Sequence, residues 1–250
     1  MYGWDLLFGG LSLTSSRHGS PAWSAVVLLR GRGDTILLDT GGPQYRTPML
    51  SRLAELGVRP EEVTGVALSH CHWDHMSNLP MFPNAKVFVS DTDLTWAASC
   101  VRGDPAVPEL HVADLLELER HGGQPVVRMA DGFAISPGLR AVATPGHTPG
   151  HMSFAADTDQ GPIVFAGDAA KDERELVTGT AAMTMDAAAS RRSIDRLVRL
   201  CEQRGGVLVC GHDGLFRIRA GTVGRVRTEP EVVTGAAGTL DVGQPWTATR

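Results

Sequence analysis

Three histidines and one aspartate, residue types that commonly bind metal ions, fall within six positions, in the segment His70-Cys71-His72-Trp73-Asp74-His75. The segment follows the apolar run 63–69, which predicts a buried strand. On an extended backbone His70 and His72 point to the same side, because side chains alternate with a period of two. The chain must then turn for Asp74 and His75 to approach from another side. Imidazoles are costly to bury together without a cation, so the segment predicts a metal site, and one short loop could serve two ions.

Three further candidate ligands lie downstream, each shortly after an apolar strand and a glycine. The strands are predicted at 142–144, 163–166 and 207–210, and the ligands that follow them are His147, Asp168 and His212. Glycine allows the backbone to turn sharply where a strand gives way to a loop. Side chains at strand ends are held on a rigid scaffold, and we therefore expect these three to complete the metal site.

The order and spacing of these residues resemble the metallo-β-lactamase-fold superfamily of metallohydrolases. The resemblance extends from the hairpin near Ala25 to Gly211-His212, and it includes Leu38-Asp39-Thr40-Gly41 and the string TPGHTPGH at 144–151. It implies an α/β fold of four layers, an αββα sandwich with the helices outside two sheets.

The same resemblance implies a site with two divalent metal ions. One ion would be bound by His70, His72 and His147. The other would be bound by Asp74, His75 and His212, with Asp168 as the bridge between them. Imidazole and carboxylate ligands without sulfur favour Zn²⁺, with iron or manganese as alternatives.

Two such ions lower the pKa of a bound water toward about 7, so that hydroxide can attack a carbonyl or phosphoryl group. The resemblance, closest to the small lactonase-like and glyoxalase II-like members, therefore implies a binuclear hydrolase of a small-molecule ester or lactone. A thioester hydrolase, a phosphodiesterase and a mononuclear iron oxygenase are the alternatives.

Two residues are predicted to act directly in catalysis. Asp74 could bind a metal ion and also orient the nucleophile or move its proton. Lys171 follows Asp168 by three positions, where lactonases of this family commonly have tyrosine, and it is one of two lysines among 23 basic residues. We expect Lys171 to bind a substrate oxygen, the alternative being an ion pair with Asp172 or Glu175.

Two other polar residues are predicted to support the site. Asp39 ends an apolar strand and could accept the outer N–H of a ligand histidine in the first segment. The alternative is a simple turn residue. His151 follows His147 by four positions, and it is expected either to hydrogen-bond beside the site or to lie in a loop.

The elements that must position these residues indicate a mixed α/β chain. Strands are predicted at 25–30, 35–40, 86–90, 126–129, 134–135, 139–143 and 152–156, besides those already named. Helices are predicted at 47–56, after a cap at Asp91, around 112–118, and from a cap at Asp186 to about 204.

Residues 1–227 are predicted to form one domain, followed by an extended tail at 228–250 that is rich in glycine, threonine and proline. Residues 100–124 are predicted to be a variable insertion near the site. Its apolar residues favour either a wall beside the substrate or a dimer contact or small core.

Composition limits the remaining function classes. The chain has 250 residues, of which 42% are hydrophobic and 20% charged, and its net charge is −5. A mildly acidic protein is a poor binder of nucleic acid or anionic membranes. The four cysteines include no CxxC pair, and the N-terminal segment lacks the features of a signal peptide. We therefore expect a cytoplasmic protein that acts on a small molecule, without a nucleic-acid or membrane partner; a homodimer is one assembly that the sequence leaves open.

Overall fold

The structure is a computed structural model that describes residues 1–12, 22–100, 107, 109–121, 125–226, 232–235 and 238–241. In chain order the strands are β1 (Gly3–Phe8), β2 (Leu11–Ser12), β3 (Ala22–Trp23), β4 (Val26–Gly31), β5 (Asp34–Leu38), β6 (Gly65–Ala67), β7 (Lys86–Ser90), β8 (Val126–Met129), β9 (Ala134–Ser136), β10 (Leu139–Ala143), β11 (Met152–Ala156), β12 (Ile163–Gly167), β13 (Val207–Cys210), β14 (Leu215–Arg219), β15 (Thr222–Val226), β16 (Val232–Gly235) and β17 (Gly238–Asp241). The α-helices are α1 (Arg46–Glu55), α2 (Trp73–Met76), α3 (Asp91–Cys100), α4 (Glu109–His121), α5 (Glu173–Thr178) and α6 (Ala187–Arg204).

The first sheet has six strands in the order β1-β4-β5-β6-β7-β8. Its first half is antiparallel and includes the predicted β4–β5 hairpin. Arg32 and Gly33 both have positive φ, 58° and 85°, as a type I′ turn between twisted strands requires. From β5 to β8 the strands are parallel, and the connections return over the outer face of the sheet.

The second sheet has seven strands in the order β15-β14-β13-β12-β11-β10-β9. All its pairs are antiparallel except β12 with β13, which run side by side in the same direction. The carboxyl ends of these two parallel strands therefore meet at one edge of the sheet, where Asp168 and His212 follow.

Three apolar layers hold the sheets and helices together. The core between the two sheets includes Val27, Leu29, Ile36, Leu38, Phe88, Phe154, Phe165 and Val209. On the outer face of the first sheet, alternate strand residues pack against α1, α3 and α4; on the second sheet, Val164, Leu208 and Phe216 pack against α6. The predicted four-layer αββα arrangement is thus confirmed.

Helix α6 forms as the sequence predicts. The Asp186 side chain accepts the N–H of Ala189 at 2.9 Å, and Gly205 ends the helix with φ of 64°. Its apolar stripe, with Ile194 and Leu197, is buried on the second sheet.

The prediction that Asp91 caps α3 is wrong. The helix begins at Asp91, and the Ser90 hydroxyl accepts the N–H of Asp93 at 3.2 Å, which places Ser90 at the cap. Either residue could cap a helix; β7 ends at Ser90, which leaves its side chain above the first turn.

The predicted insertion at 100–124 is partly described. Its residues Val107, Val112 and Leu115 are buried in the core outside the first sheet. These three apolar side chains therefore pack in the core formed with α3 and α4, which agrees with the small-core alternative of the prediction. Cys71 also packs in this core.

At the C-terminus, the predicted domain limit at 227 lies outside the described residues. Within the predicted tail, β16 and β17 form an antiparallel hairpin. Among the residues that the structure describes, no helix is both long and apolar enough to cross a lipid bilayer.

Candidate metal centre

The structure brings the predicted ligands into two adjoining groups. The first cluster consists of His70, His72 and His147, and the second cluster consists of Asp74, His75 and His212. Within each cluster the candidate ligand atoms lie within 4.8 Å of one another. A third group of this kind joins Asp168 to His70 and His75, one residue from each cluster.

The first cluster presents three ring nitrogens to one point. His72 Nδ1 lies 2.9 Å from His70 Nε2 and 3.0 Å from His147 Nε2. Ligands at about 2.0–2.1 Å from a tetrahedral zinc ion are roughly 3.3 Å apart, so these separations are close to those of one coordination sphere.

Asp168 lies between the two clusters. Its Oδ1 atom is 3.3 Å from His75 Nε2 and 3.1 Å from His212 Nε2. Its Oδ2 atom is 3.3 Å from His147 Nε2. Oδ1 therefore faces the second cluster, and Oδ2 faces the first cluster.

Strand ends and glycines create this convergence. Gly167 ends β12 with φ of 54°, and a Cβ atom there would lie 2.8 Å from His151 Nε2. A Cβ atom on Gly211, at the end of β13, would lie 2.5 Å from Asp168 Oδ1. Only glycine allows these two loops to approach so closely.

Hydrogen bonds to carbonyl oxygens fix the tautomers of two candidate ligands. His147 Nδ1 donates to the Met183 carbonyl at 2.9 Å, and His212 Nδ1 donates to the Trp23 carbonyl at 3.1 Å. A neutral imidazole with its hydrogen on Nδ1 leaves the Nε2 lone pair free, which is the atom that faces the cluster.

Asp39 holds His75 directly, the contact with one ligand histidine that the sequence predicts, and it holds His70 through Ser69. His75 Nδ1 donates to Asp39 Oδ2 at 2.7 Å. The Ser69 hydroxyl donates to the same oxygen at 2.7 Å and lies 3.0 Å from His70 Nδ1, from which it accepts. Asp39 is fully buried with a positive φ of 59°, a conformation that costs about 1–3 kcal/mol and is typical of functional sites.

The first cluster is electrically neutral at neutral pH. Burial, and then the neighbouring histidines, lower the pKa of His70 well below its usual value. Burial likewise lowers the pKa of His72 and of His147 to about 4. Neutral imidazoles are the form that binds metal ions.

The second cluster attracts positive charge. Burial alone would lower the pKa of His75, but the carboxylates of Asp74, Asp168 and Asp39 outweigh it and raise that pKa well above its usual value. The pKa of His212 is raised against burial by Asp168 and Asp74. A field that holds protons on two buried imidazoles would also hold a cation.

The residues present fit divalent metal ions. Nitrogen and carboxylate donors without sulfur suit Zn²⁺, and in the described part of the chain His75 Nε2 and Asp168 Oδ1 are buried without a well-formed hydrogen bond. Buried polar atoms without such a partner are rare and call for a specific explanation, which a shared cation provides.

His151 hydrogen-bonds beside the site. Its Nε2 atom accepts the N–H of Asp168 at 2.9 Å, and its Nδ1 atom donates to the Thr144 hydroxyl at 2.9 Å. Since both ring nitrogens are used, His151 holds the backbone of Asp168 and has no free lone pair for a metal ion.

Sequence reasoning missed Asp93, which links two loops of the site. Its fully buried carboxylate accepts the N–H of Cys71 at 2.7 Å, the hydroxyl of Thr148, and the N–H of Gly150 at 3.2 Å. Asp93 thus ties the segment of His70 and His72 to the loop of His147. Both Asp91 and Asp93 lie in the first turn of α3, and no local pattern distinguishes the buried one.

Lys171 lies beside the site in an ion pair. Its Nζ atom is 3.0 Å from Glu175 Oε1, the contact that the sequence left open as the alternative. Its carbonyl accepts the N–H of His212 at 2.8 Å, and its side chain is 11% exposed. The ammonium is close enough to contribute to the lowered pKa of His147, after burial and against the opposite effect of Asp168.

Among known proteins, one family has a model that matches the part of the chain containing all the candidate ligands. A family model described as the metallo-beta-lactamase superfamily matches residues 24–212. Metallo-beta-lactamase domain-containing protein 1 of Homo sapiens is 33% identical over 226 residues, which cover 88% of this chain and 71% of that protein. N-acyl homoserine lactonase AttM of Azorhizobium caulinodans is 29% identical over 184 residues, 66% of this chain and 63% of that protein.

Solved structures share the fold. A variant of AiiA from B. thuringiensis, with N-decanoyl-L-homoserine bound at its active site, superposes with a TM-score of 0.67 at 19% identity, covering 84% of this chain and 92% of that one. A probable metal-dependent hydrolase from Staphylococcus aureus gives a TM-score of 0.73 at 15% identity, covering 91% and 98%.

Proposed function

Because the chain belongs to the metallo-beta-lactamase superfamily, we propose that it is a binuclear metal-dependent hydrolase of a small-molecule lactone or related ester. The observation that carries the proposal is the position of Asp168, with one carboxylate oxygen toward each cluster. A shared carboxylate is useful when two cations lie side by side, since each oxygen can serve one of them.

The first and second clusters would each hold one ion, with zinc favoured by the nitrogen-rich donors. When bound, such ions would activate a water molecule and polarise a carbonyl oxygen. The protein contributes the fixed tautomers: hydrogen bonds to Asp39, Met183 and Trp23 keep the histidine lone pairs directed into the site.

We assign proton transfer to Asp74. Its Oδ2 atom faces the second cluster, 3.5 Å from His75 Nε2 and 3.4 Å from His212 Nε2. Its other oxygen, Oδ1, would accept a proton from the attacking water and pass it to the leaving alkoxide. The side chain is 9% exposed, so substrate can reach it while bulk water has little access.

A lactone is the favoured substrate class because the relatives include N-acyl homoserine lactonases from two bacterial genera. These relatives are only 29% and 24% identical to the chain, so they support the reaction class and not a particular lactone.

The first test is metal analysis followed by a substrate panel. We expect about two divalent ions per chain, because each cluster has a complete donor set. Purified protein should then be assayed on lactones, thioesters and phosphodiesters, with expected hydrolysis of lactones that stops on chelation. Fewer than one ion per chain in protein never exposed to chelator would reject the binuclear proposal. A higher kcat/KM on thioesters would replace the lactone with that substrate class.

A second test concerns Lys171, which we propose binds a substrate oxygen. Glu175 holds the ammonium in place, so it can stabilise negative charge that grows on that oxygen without reorganising. Lys171→Met keeps the stem and removes the charge, and it should lower kcat/KM by roughly 10²-fold with unchanged metal content.

The matched control is the other lysine, Lys86, which is exposed at the start of β7. Lys86→Met should retain wild-type activity. If Lys171→Met also retained it, Lys171 would have only its ion-pair role; if it lost metal, its role would be structural.

A further inference from the structure

Glu175, besides its ion pair with the ammonium of Lys171, makes buried contacts that the proposed chemistry does not use. It lies in the first turn of α5 and is 1% exposed. Asp172 caps this helix by accepting the N–H of Glu175 at 2.8 Å, which directs the Glu175 side chain back over the helix start. A carboxylate is costly to bury without partners, so its contacts indicate its purpose.

Each oxygen of this carboxylate accepts a backbone N–H from a different segment. Glu175 Oε2 accepts the N–H of Lys171 at 2.8 Å. Glu175 Oε1 accepts the N–H of Ala182 at 2.7 Å and also faces the ammonium of Lys171. Glu175 therefore fastens the loop after α5 to the segment that follows Asp168.

The loop held in this way carries the hydrogen-bond acceptor of a candidate metal ligand. Met183, directly after Ala182, accepts the Nδ1 hydrogen of His147 through its carbonyl oxygen. Met183 has a positive φ of 49°, a strained conformation for a residue with a side chain, and that side chain is 77% exposed. Because the side chain of Met183 is largely in solvent, packing of that side chain does not explain the strained backbone. The contact that this backbone conformation does provide is the one between the Met183 carbonyl and His147.

We propose that Glu175 is a positioning residue that holds the Met183 carbonyl against His147 and thereby sets the affinity of the first cluster for its metal ion. This inference rests on the proposed function, because it requires that His147 binds a metal ion. It adds a residue that touches neither cluster and that lies in a different segment from His147.

The expected effect is moderate because the loop has a second attachment. Met185 and Asp186 both donate their N–H groups to the Gly146 carbonyl, at 2.9 and 3.0 Å. Loss of an outer partner of a ligand histidine typically weakens metal binding by about 10–100-fold. With the Gly146 attachment intact, Glu175→Ala should lie near the lower end, about 10-fold.

The experiment uses the full chain loaded with Zn²⁺ and has two readouts that do not depend on activity. Competition with a chromophoric chelator gives the two stepwise zinc affinities, and His72→Ala identifies the step that belongs to the first cluster. NMR of the zinc-loaded protein gives the exchange rate of the His147 Nδ1 hydrogen with solvent. Glu175→Ala should weaken the first-cluster step about 10-fold and accelerate this exchange, leaving the other step unchanged.

Two matched controls separate the possible causes. Lys171→Met removes the ammonium but leaves both N–H contacts of Glu175, so it should weaken neither zinc affinity and should not accelerate the exchange. Glu173→Gln removes an exposed ion pair with Arg225 from the same helix and should also change neither readout. If Glu175→Ala does not fold, Glu175→Gln serves instead. Its expected effect is smaller than that of alanine, because the amide oxygen still accepts one of the two N–H groups.

The outcomes distinguish this inference from the proposed function. Wild-type protein that binds fewer than two zinc ions would contradict the proposed function itself. If wild type binds two ions and the Glu175 variants bind both as tightly, with unchanged His147 exchange, the positioning role is rejected. A loss of thermal stability with equal weakening of both zinc steps would also reject it, since that is the result of a purely structural role.

Discussion

Asp168→Ala is expected to lower kcat/KM by at least about 10³-fold and to remove one or both metal ions. The variant loses the carboxylate that faces both clusters, and it also loses the negative charge that the buried His75 and His212 rings share. Lewis-acid stabilisation of a transition state contributes several kcal/mol, and about 4 kcal/mol corresponds to 10³ in rate. Metal analysis and steady-state kinetics on the best lactone measure the two effects.

A carboxylate elsewhere provides the control for this variant. Asp131 forms an exposed ion pair with Arg196, and Asp131→Asn should keep both the metal ions and the activity. Asp168→Asn retains one oxygen acceptor and the side-chain volume, so it should keep more metal than the alanine variant. Full activity with two ions in Asp168→Ala would show that this carboxylate does not bridge the ions.

Removal of metal is expected to lower the melting temperature by roughly 8–16 °C. A ligand that binds only the folded state stabilises it by about 4 kcal/mol at a free concentration 1,000 times its Kd. For a chain of this size each kcal/mol shifts Tm by roughly 2–4 °C. The ligands come from separate segments that meet only in the folded chain, after β6, β10, β12 and β13, so the unfolded chain cannot present the same site.

Differential scanning calorimetry before and after chelation measures this shift, and added Zn²⁺ should reverse it. The same treatment of Asp168→Ala should give a smaller shift, because that variant holds less metal at the start. An identical Tm with and without metal in the wild-type protein would show that metal binding and folding are not linked.

Most regular elements could be predicted from local pattern. Strand β7 at Lys86–Ser90 and strand β13 at Val207–Cys210 have the predicted limits, and α1 is displaced by one residue from the predicted 47–56. Strands β1, β14 and β15 were missed. They lie at or next to the sheet edges, where half-exposed residues such as Trp4 and Val223 weaken the apolar alternation on which a strand prediction depends.

The identities of the candidate ligands were also accessible from the sequence, because they are dense in histidine and follow apolar strands and glycines. Asp39 could be assigned a supporting role for the same reason, since it ends a strand that leads to the site. The sequence left Lys171 open between a substrate contact and an ion pair with Asp172 or Glu175, and only the structure shows that Glu175 is the ion-pair partner.

The sequence by itself thus determined the α/β class, the family resemblance and the residues able to bind metal. Only the tertiary structure decided how those residues are held: Asp39 with Ser69 and His75, Asp93 with Cys71 and Thr148, and Glu175 with Ala182. The physical reason is that ligand type and strand periodicity are local properties, visible in a few neighbouring residues. The partners of a buried carboxylate are instead selected by sheet register and loop packing, which join distant segments such as those of Asp93 and Gly150, 57 residues apart.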